Sequence, residues 1–445
     1  MPKKPKNAAV LRGPGIVAGA LAAGLALTLS TAPALAGTAP AAIPESPGEG
    51  FRFTLPEPTG RHDVGTVELH LVDEDRADPW NPERARELMV SIWYPAKGGR
   101  GHERARYAPS GTAAALDAEV APQLGLEPGD LDIAGVRTAA RTGVPADRRL
   151  GERPVVLFSP GGGVSRTLGT ALVQDLASRG YVVVTVDHTG EAPVEFPGGR
   201  VEGVRYDAED PHLYRDLMDA RVRDTRFLLD ELETIEDGGN PDAEGRRLPP
   251  GLGRILDLSE IGMFGHSAGG SAAAHTMHED RRVDAGIDMD GSISFGAPGS
   301  QQRADFEERF PVAQRGLDRP FMLMGGSGEK DPENPGADPA HTHETFDDWA
   351  ALWDNSTGWK LDVNFPEARH FSFTDHLVAL PRIREEFDLD EALITPAIGT
   401  VDDPARMHRS QRAYVAAFFD EHLRHRPQPL LDAESPEHPD ARFIP

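Results

Sequence analysis

From residue 154 onward one unit recurs: a short apolar run, a turn, then apolar residues at helical spacing. Residues 154–158 (Pro-Val-Val-Leu-Phe) and 181–186 (Tyr-Val-Val-Val-Thr-Val) are too short for helices and show no polar face. Such runs read as strands covered on both sides, as in parallel sheets. Between them Leu168, Leu172, Val173 and Leu176 mark a helix, which Gly180 ends. A long helix is predicted over about 211–233, and a last one over about 406–423. Residues 261–264, 285–289, 321–324 and 359–365 supply further strands. The alternation predicts an α/β fold with a mostly parallel central sheet, right-handed crossovers and helices on both faces. Ahead of it, residues 65–72 and 88–94 alternate in the way half-buried strands do, giving an antiparallel start. Residues 97–153, rich in Gly, Ala and Arg, are expected to form an insertion over the surface.

The N-terminal segment reads as an address. Residues 1–36 hold Lys3, Lys4, Lys6 and Arg12 and no acid, then an apolar stretch from Ile16 to Leu29, then Ala34-Leu35-Ala36. Basic start, short apolar middle and small-x-small exit make a secretory signal peptide, and the apolar stretch is shorter than a membrane span needs. A Pro- and Ala-rich linker follows over 37–50, a catalytic domain over 51–430 and a polar tail over 431–445. The expectation is a secreted, extracellular protein with no stable membrane insertion. The net charge of −26 repels phosphate and argues against nucleic-acid partners. The absence of cysteine excludes disulfides, thiolate metal sites and a cysteine nucleophile.

Chemistry concentrates at Gly265-His266-Ser267-Ala268-Gly269, a G-x-S-x-G pattern. It follows a buried strand ending at Phe264 and precedes a run of small residues, Ala268 to Ala274. Strand, sharp turn and helix form the nucleophile elbow, a strained turn that accepts only small neighbours. Serine needs a base, usually a histidine held by a carboxylate, and here the chain order should be Ser, acid, His. Eight of the 16 histidines follow residue 290, and His370 alone comes just after a predicted strand, where a sheet delivers residues to its active edge. Two acids compete for the third place: Asp290, at the end of strand 285–289, and Asp331, in the loop after the next strand. Asp288 is either a neighbour on the same side or a buried supporting group. An oxyanion hole needs backbone N–H groups: one from Ala268, the other from the loop 159–163 (Ser-Pro-Gly-Gly-Gly). That loop has no phosphate-binding pattern. His341-x-His343 with Asp331, Asp338 and Glu344 fits no zinc spacing and reads as a solvated acidic loop, so neither metal nor cofactor is expected.

Taken together, residues 88–95 (Leu-Met-Val-Ser-Ile-Trp-Tyr-Pro), 158–163, 175–182, 265–270, 288–291 and 370–375 (His-Phe-Ser-Phe-Thr-Asp) resemble the platelet-activating factor acetylhydrolase family, secreted and type II, over most of residues 55–425. The resemblance implies an α/β-hydrolase fold, with Asp290 as the acid and Gly162 as the second oxyanion donor. It implies cleavage of short or oxidised acyl chains from the sn-2 position of phospholipids, without calcium. Two departures touch the acyl pocket: Pro160 where the animal enzymes commonly carry His, and Ala268 where a bulkier Phe is common.

The expected function is therefore a secreted serine esterase acting on a small ester or lipid through an acyl-enzyme, with Ser267, His370 and Asp290 as triad and Gly162 and Ala268 as oxyanion donors. The rival readings are a cutinase-like polyester or triglyceride hydrolase and a catalytically silent binding protein on the same fold.

Overall fold

The computed structural model describes residues 50–327 and 339–445. The expected signal segment, the linker up to residue 49, and Asp331 and Asp338 lie outside them. The described residues belong to one compact unit.

The chain opens with a long antiparallel hairpin, β1 (Asp63–Asp78) and β2 (Asn81–Ala96), paired from Asp63 with Ala96 up to the tip. Then come β3 (Arg104–Arg106), β4 (Arg137–Thr142), β5 (Arg153–Ser159), β6 (Val182–Asp187) and the small separate hairpin β7 (Val194–Phe196) and β8 (Arg200–Glu202). The remainder are β9 (Leu256–His266), β10 (Ala285–Met289), β11 (Phe321–Gly325), β12 (Lys360–Asn364) and β13 (Arg442–Ile444). Eleven strands form one sheet in the order β13-β12-β11-β10-β9-β5-β6-β2-β1-β4-β3. The six strands β5, β6, β9, β10, β11 and β12 are parallel to their neighbours among themselves.

Seven helices matter below: α1 (Ser110–Gln123), α2 (Thr170–Ser178), α3 (Leu213–Glu236), α4 (Ala268–Glu279), α5 (Asp347–Asn355), α6 (His376–Phe387) and α7 (Pro404–His422). The strands alternate between two cores. Val156 and Phe158 of β5 join α2, α6 and α7 in one, through Leu172, Leu377 and Phe418. Val155 and Leu157 join α3, α4 and α5 in the other, through Val222, Ala273 and Trp349. This two-sided burial is why β5 and β6 read as unbroken apolar runs.

Two expectations are corrected. Residues 97–153 are built into the fold: β4 and β3 extend the sheet beyond β1, and Ala113, Leu116 and Ala121 of α1 enter the first core. Their alanine-rich sequence hides the apolar stripe that marks a packed helix. Residues 431–445 form no loose tail either. Leu431 and Ala441 are buried in the first core, and β13 pairs antiparallel with β12. Asp440 anchors the segment by accepting hydrogen bonds from Arg406 Nη2 (2.8 Å) and Ser410 Oγ (3.1 Å). A three-residue edge strand is too short to show a period.

Candidate active site

The order β9-β5-β6 places a switch point between β5 and β9, where consecutive crossovers leave in opposite directions. Open α/β sheets bind ligands there, beyond the carboxyl ends of the strands. Every predicted site residue sits at that edge: the glycine loop after β5, Ser267 after β9, Asp290 after β10 and His370 after β12.

Ser267 has φ 55° and ψ −126°, a strained backbone for a residue with a Cβ. The turn fits because its neighbours are glycines: a Cβ on Gly265 would lie 2.3 Å from the Gly269 carbonyl carbon, and one on Gly269 would lie 1.9 Å from the Ser159 carbonyl oxygen. Ser267 N–H donates to Met289 O (2.8 Å), tying the serine to the residue before Asp290. Ala268 is the first residue of α4, so its N–H has no acceptor within the helix.

Asp290 also has a positive φ, 61°, and turns its carboxylate sharply off β10. Its Oδ2 accepts a hydrogen bond from His370 Nδ1 (2.7 Å). Its Oδ1 accepts from Gly326 N–H (2.9 Å) and from His341 Nδ1 (3.1 Å). Burial alone would raise the Asp290 pKa, but the hydrogen bonds from His341 and His370 outweigh it and hold the carboxyl well below the usual range. The group is therefore ionised and acceptor-only. His370 opens the 3₁₀ turn His370–Phe373, with its side chain 33% exposed. Its carbonyl accepts from His266 Nε2 (2.9 Å), and the two rings lie 4.5 Å apart. Burial, and then the nearby His370, push His266 well below the ordinary histidine range, so it is a neutral strut rather than a second base. Of the two imidazoles on Asp290, only His370 has the exposure to meet a substrate; His341 is buried under Trp349.

Asp288 is fully buried under α4. Its Oδ1 accepts from Gly291 N–H (2.9 Å), and a Cβ on Gly270 would lie 1.8 Å from that oxygen. Burial raises its pKa well above the usual carboxylate value, and it supports the turn from beneath. The reading of His341 and His343 as a solvated loop is corrected. Both are buried, His341 against Asp290 and His343 Nδ1 against Asp362 Oδ2 (2.8 Å). Among the described residues no group of three or more His, Asp and Glu could hold a metal ion.

The loop after β5 is positioned from behind by Arg221 of α3, a residue with no signal in the sequence. Its Nη1 donates to Pro160 O (2.6 Å), its Nη2 to Gly161 O (3.0 Å), and it pairs with Glu191 at 2.5 Å. The Gly161–Gly162 peptide is planar and trans, so fixing the Gly161 carbonyl on Arg221 turns the Gly162 N–H the opposite way. A Cβ on Gly162 would lie 3.9 Å from that of Ala268, so the two expected donors adjoin. Behind this loop runs a second Ser–His–Asp string: Ser159 Oγ to His188 Nε2 (2.9 Å) and His188 Nδ1 to Asp224 Oδ2 (2.9 Å). All three are at most 2% exposed. They face no substrate.

A mostly parallel sheet that carries an elbow serine, a histidine and a carboxylate on its carboxyl edge defines the α/β-hydrolases. Comparison with known proteins narrows this class. A sequence model of platelet-activating factor acetylhydrolase, isoform II, matches residues 52–194. A probable 1-alkyl-2-acetylglycerophosphocholine esterase from Arthroderma benhamiae is 29% identical over 414 residues, covering 88% of this chain and 94% of its own. The platelet-activating factor acetylhydrolase of Canis lupus familiaris is 26% identical over 160 residues, covering 32% of this chain and 36% of its own. The solved structure of a ferulic acid esterase from Streptomyces cinnamoneus superposes with a TM-score of 0.66 at 37% identity, covering 88% of this chain and 99% of its own. The sequence match over residues 52–194 and the full-length fungal relative support a place in the platelet-activating factor acetylhydrolase isoform II family. It is a carboxylic-ester hydrolase.

Proposed function

We propose that the chain is a serine esterase that cleaves short acyl esters, including sn-2 acyl groups of phospholipids, through an acyl-enzyme. The observation that carries this reading is the 2.7 Å hydrogen bond from His370 to Asp290, at the edge where Ser267 occupies a strained elbow. In this mechanism Ser267 Oγ attacks the ester carbonyl carbon while His370 takes its proton. Asp290 fixes the histidine tautomer and stabilises the imidazolium. The Gly162 and Ala268 N–H groups receive the oxyanion. His370 then protonates the leaving alcohol, and a water deprotonated by His370 releases the acid. The Arthroderma benhamiae relative is named as an esterase of a 2-acetyl phosphocholine lipid, which supports the short-acyl reading.

The ferulic acid esterase gives a second reading, a small aryl ester as substrate, and its likeness spans nearly its whole chain. Initial rates on acetyl, butyryl and long-chain esters, a 2-acetyl phosphocholine ether lipid and methyl ferulate separate the two. Acetyl and butyryl esters should turn over fastest; faster turnover of long-chain triglycerides overturns the preference, and methyl ferulate as best substrate moves it to aryl esters. Ser267→Ala and His370→Ala should each lower kcat by about 10⁴ or more with the melting temperature kept. A folded variant that retains a tenth of wild-type activity sinks the serine mechanism. We also propose export, on the basis of residues 1–36; N-terminal sequencing of protein from the culture medium should begin at Gly37.

A further inference from the structure

We propose that His341 is a positioning residue for the reaction: its Nδ1–H holds Oδ1 of Asp290 while Oδ2 serves His370, so that one carboxylate is clamped between two imidazoles. The inference rests on the reading of Asp290 as the triad acid.

The clamp follows from who can donate. An ionised Asp290 only accepts, so His341 must carry its proton on Nδ1. Its Nε2 is buried with no hydrogen-bond partner among the described residues, so a proton there would be an unpaired buried donor, and the geometry favours the Nδ1–H tautomer. The ring cannot swing away. It stacks on Trp349 (centroids 4.0 Å, planes 24° apart) and leans on Phe346 (4.2 Å). Trp349 Nε1 donates in turn to Gly291 O (2.6 Å), the carbonyl just after Asp290, and Asp348 Oδ2 accepts from the N–H groups of Ile293 (2.6 Å) and Ser294 (3.1 Å). The first turn of α5 thus grips both the imidazole and the loop that presents the carboxylate. His341 N–H also donates to Gly326 O (2.8 Å), while Gly326 N–H donates to Asp290 Oδ1 (2.9 Å). Backbone and ring close on the same oxygen.

With both oxygens engaged, the carboxylate plane is fixed, and with it the direction of the His370 ring. Without the His341 donor, Oδ1 keeps only the Gly326 N–H, and the carboxylate is freer to rotate and more negative toward His370. The titratable and charged groups around the clamp are Asp290 itself, Asp288 beneath α4, Asp348 and Arg303 on the α5 side, and His370 and His266 across the carboxylate. A ring that merely filled space would affect stability and leave the pH profile of the reaction alone.

The test pairs His341→Phe, which keeps a ring for Trp349 and removes the donor, with His341→Asn, which returns an N–H near the Nδ1 position. Kinetics on p-nitrophenyl acetate, the pH profile of kcat/KM and a melting curve are read for each. His341→Phe should lower kcat by roughly 10–100-fold, the range for losing a supporting hydrogen bond on a site residue, with KM little changed. The acidic limb of its profile should move to higher pH, and His341→Asn should restore both kcat and the limb. Wild-type kcat in folded His341→Phe overturns the clamp; so does a loss shared by both variants with the limb unmoved. Should His341→Phe fail to fold, proton NMR decides: loss of two downfield imidazole N–H resonances on going from wild type to Asp290→Asn, with those of the His188–Asp224 and His343–Asp362 pairs kept, supports the clamp, and loss of one alone overturns it. Asp290→Asn kinetics keep the two readings apart. If that variant stays active, the triad reading falls; if it is inactive while His341→Phe is wild type, only the clamp falls.

Discussion

At the scale of single residues, Arg221 joins packing to chemistry. It lies 1% exposed behind the glycine loop and holds two successive carbonyls of it, with Glu191 neutralising its charge. Arg221→Met alone should cost about 3–5 kcal/mol, because it strands a buried Glu191. Arg221→Met with Glu191→Gln leaves no unpaired charge and should fold more stably than the single variant. It should still lose about 10²–10³ in kcat, the cost of a misplaced oxyanion donor. A double variant with full kcat in steady-state assays would free the loop from Arg221. Asp290→Asn should cut kcat by about 10⁴ without unfolding the chain, since an amide favours the wrong histidine tautomer. Ser267 and His370 are legible as candidates in the sequence, the first in a turn of small residues at a strand end and the second as the histidine that follows a predicted strand, whereas Asp290 competes with Asp331 and is favoured by its compact strand and by the family resemblance. His341, Arg221 and His188 are not legible there: each acts through a partner 51, 61 and 36 positions away or thereabouts, and no local pattern encodes that pairing.

At the scale of elements, the joint between α2 and α6 is held by Asp375. Its carboxyl accepts the Ala171 N–H (3.1 Å) in the first turn of α2, and its own N–H donates to Leu168 O (2.7 Å). Burial pushes its pKa up to about 8, above the value of about 3.9 for an unfolded aspartate. The folded chain therefore holds a proton that the unfolded chain has lost between those values. The associated stability is complete below about pH 4 and falls as pH rises toward 8. Asp375→Asn stays neutral throughout and still accepts the Ala171 N–H. Its melting temperature should fall less than that of the wild type between pH 5 and pH 8.5. Parallel curves for the two proteins would mean that Asp375 is not the group that titrates. Strands such as β5, β6 and β10 were legible because two-sided burial writes an apolar run. α1 was not, because an alanine-rich helix packs without large residues, and β4 was not, because it carries an exposed Arg137 and a half-buried Arg141.

At the scale of the whole molecule, the sheet has two unlike ends. One is extended by β4 and β3 from the segment between the opening hairpin and the parallel core. The other is covered by β13. Deleting residues 432–445 should lower the melting temperature by several degrees and promote association, because it removes the Asp440 anchor of α7 and bares the edge of β12. Asp440→Ala, which keeps the strand, should cost less. Equal melting curves for the truncated and intact chains would mean that β13 contributes nothing. The far end of the sheet escaped the sequence reading because polar composition is a poor guide where one carboxylate, rather than an apolar stripe, fastens the chain. No helix among the described residues is long and apolar enough to cross a membrane.

The buried string of Ser159, His188 and Asp224 has a bearing on how hydrolases are recognised. A search by shape for a hydroxyl, an imidazole and a carboxylate in line would return it. Yet hydrolysis has two visitors: the acyl donor, and later the water that frees the enzyme. A sealed serine can receive neither, and one acylated by accident would remain so. Access is thus a fourth member of any such constellation, and a reagent that reports a single turnover per chain would count one reactive serine where geometry alone counts two.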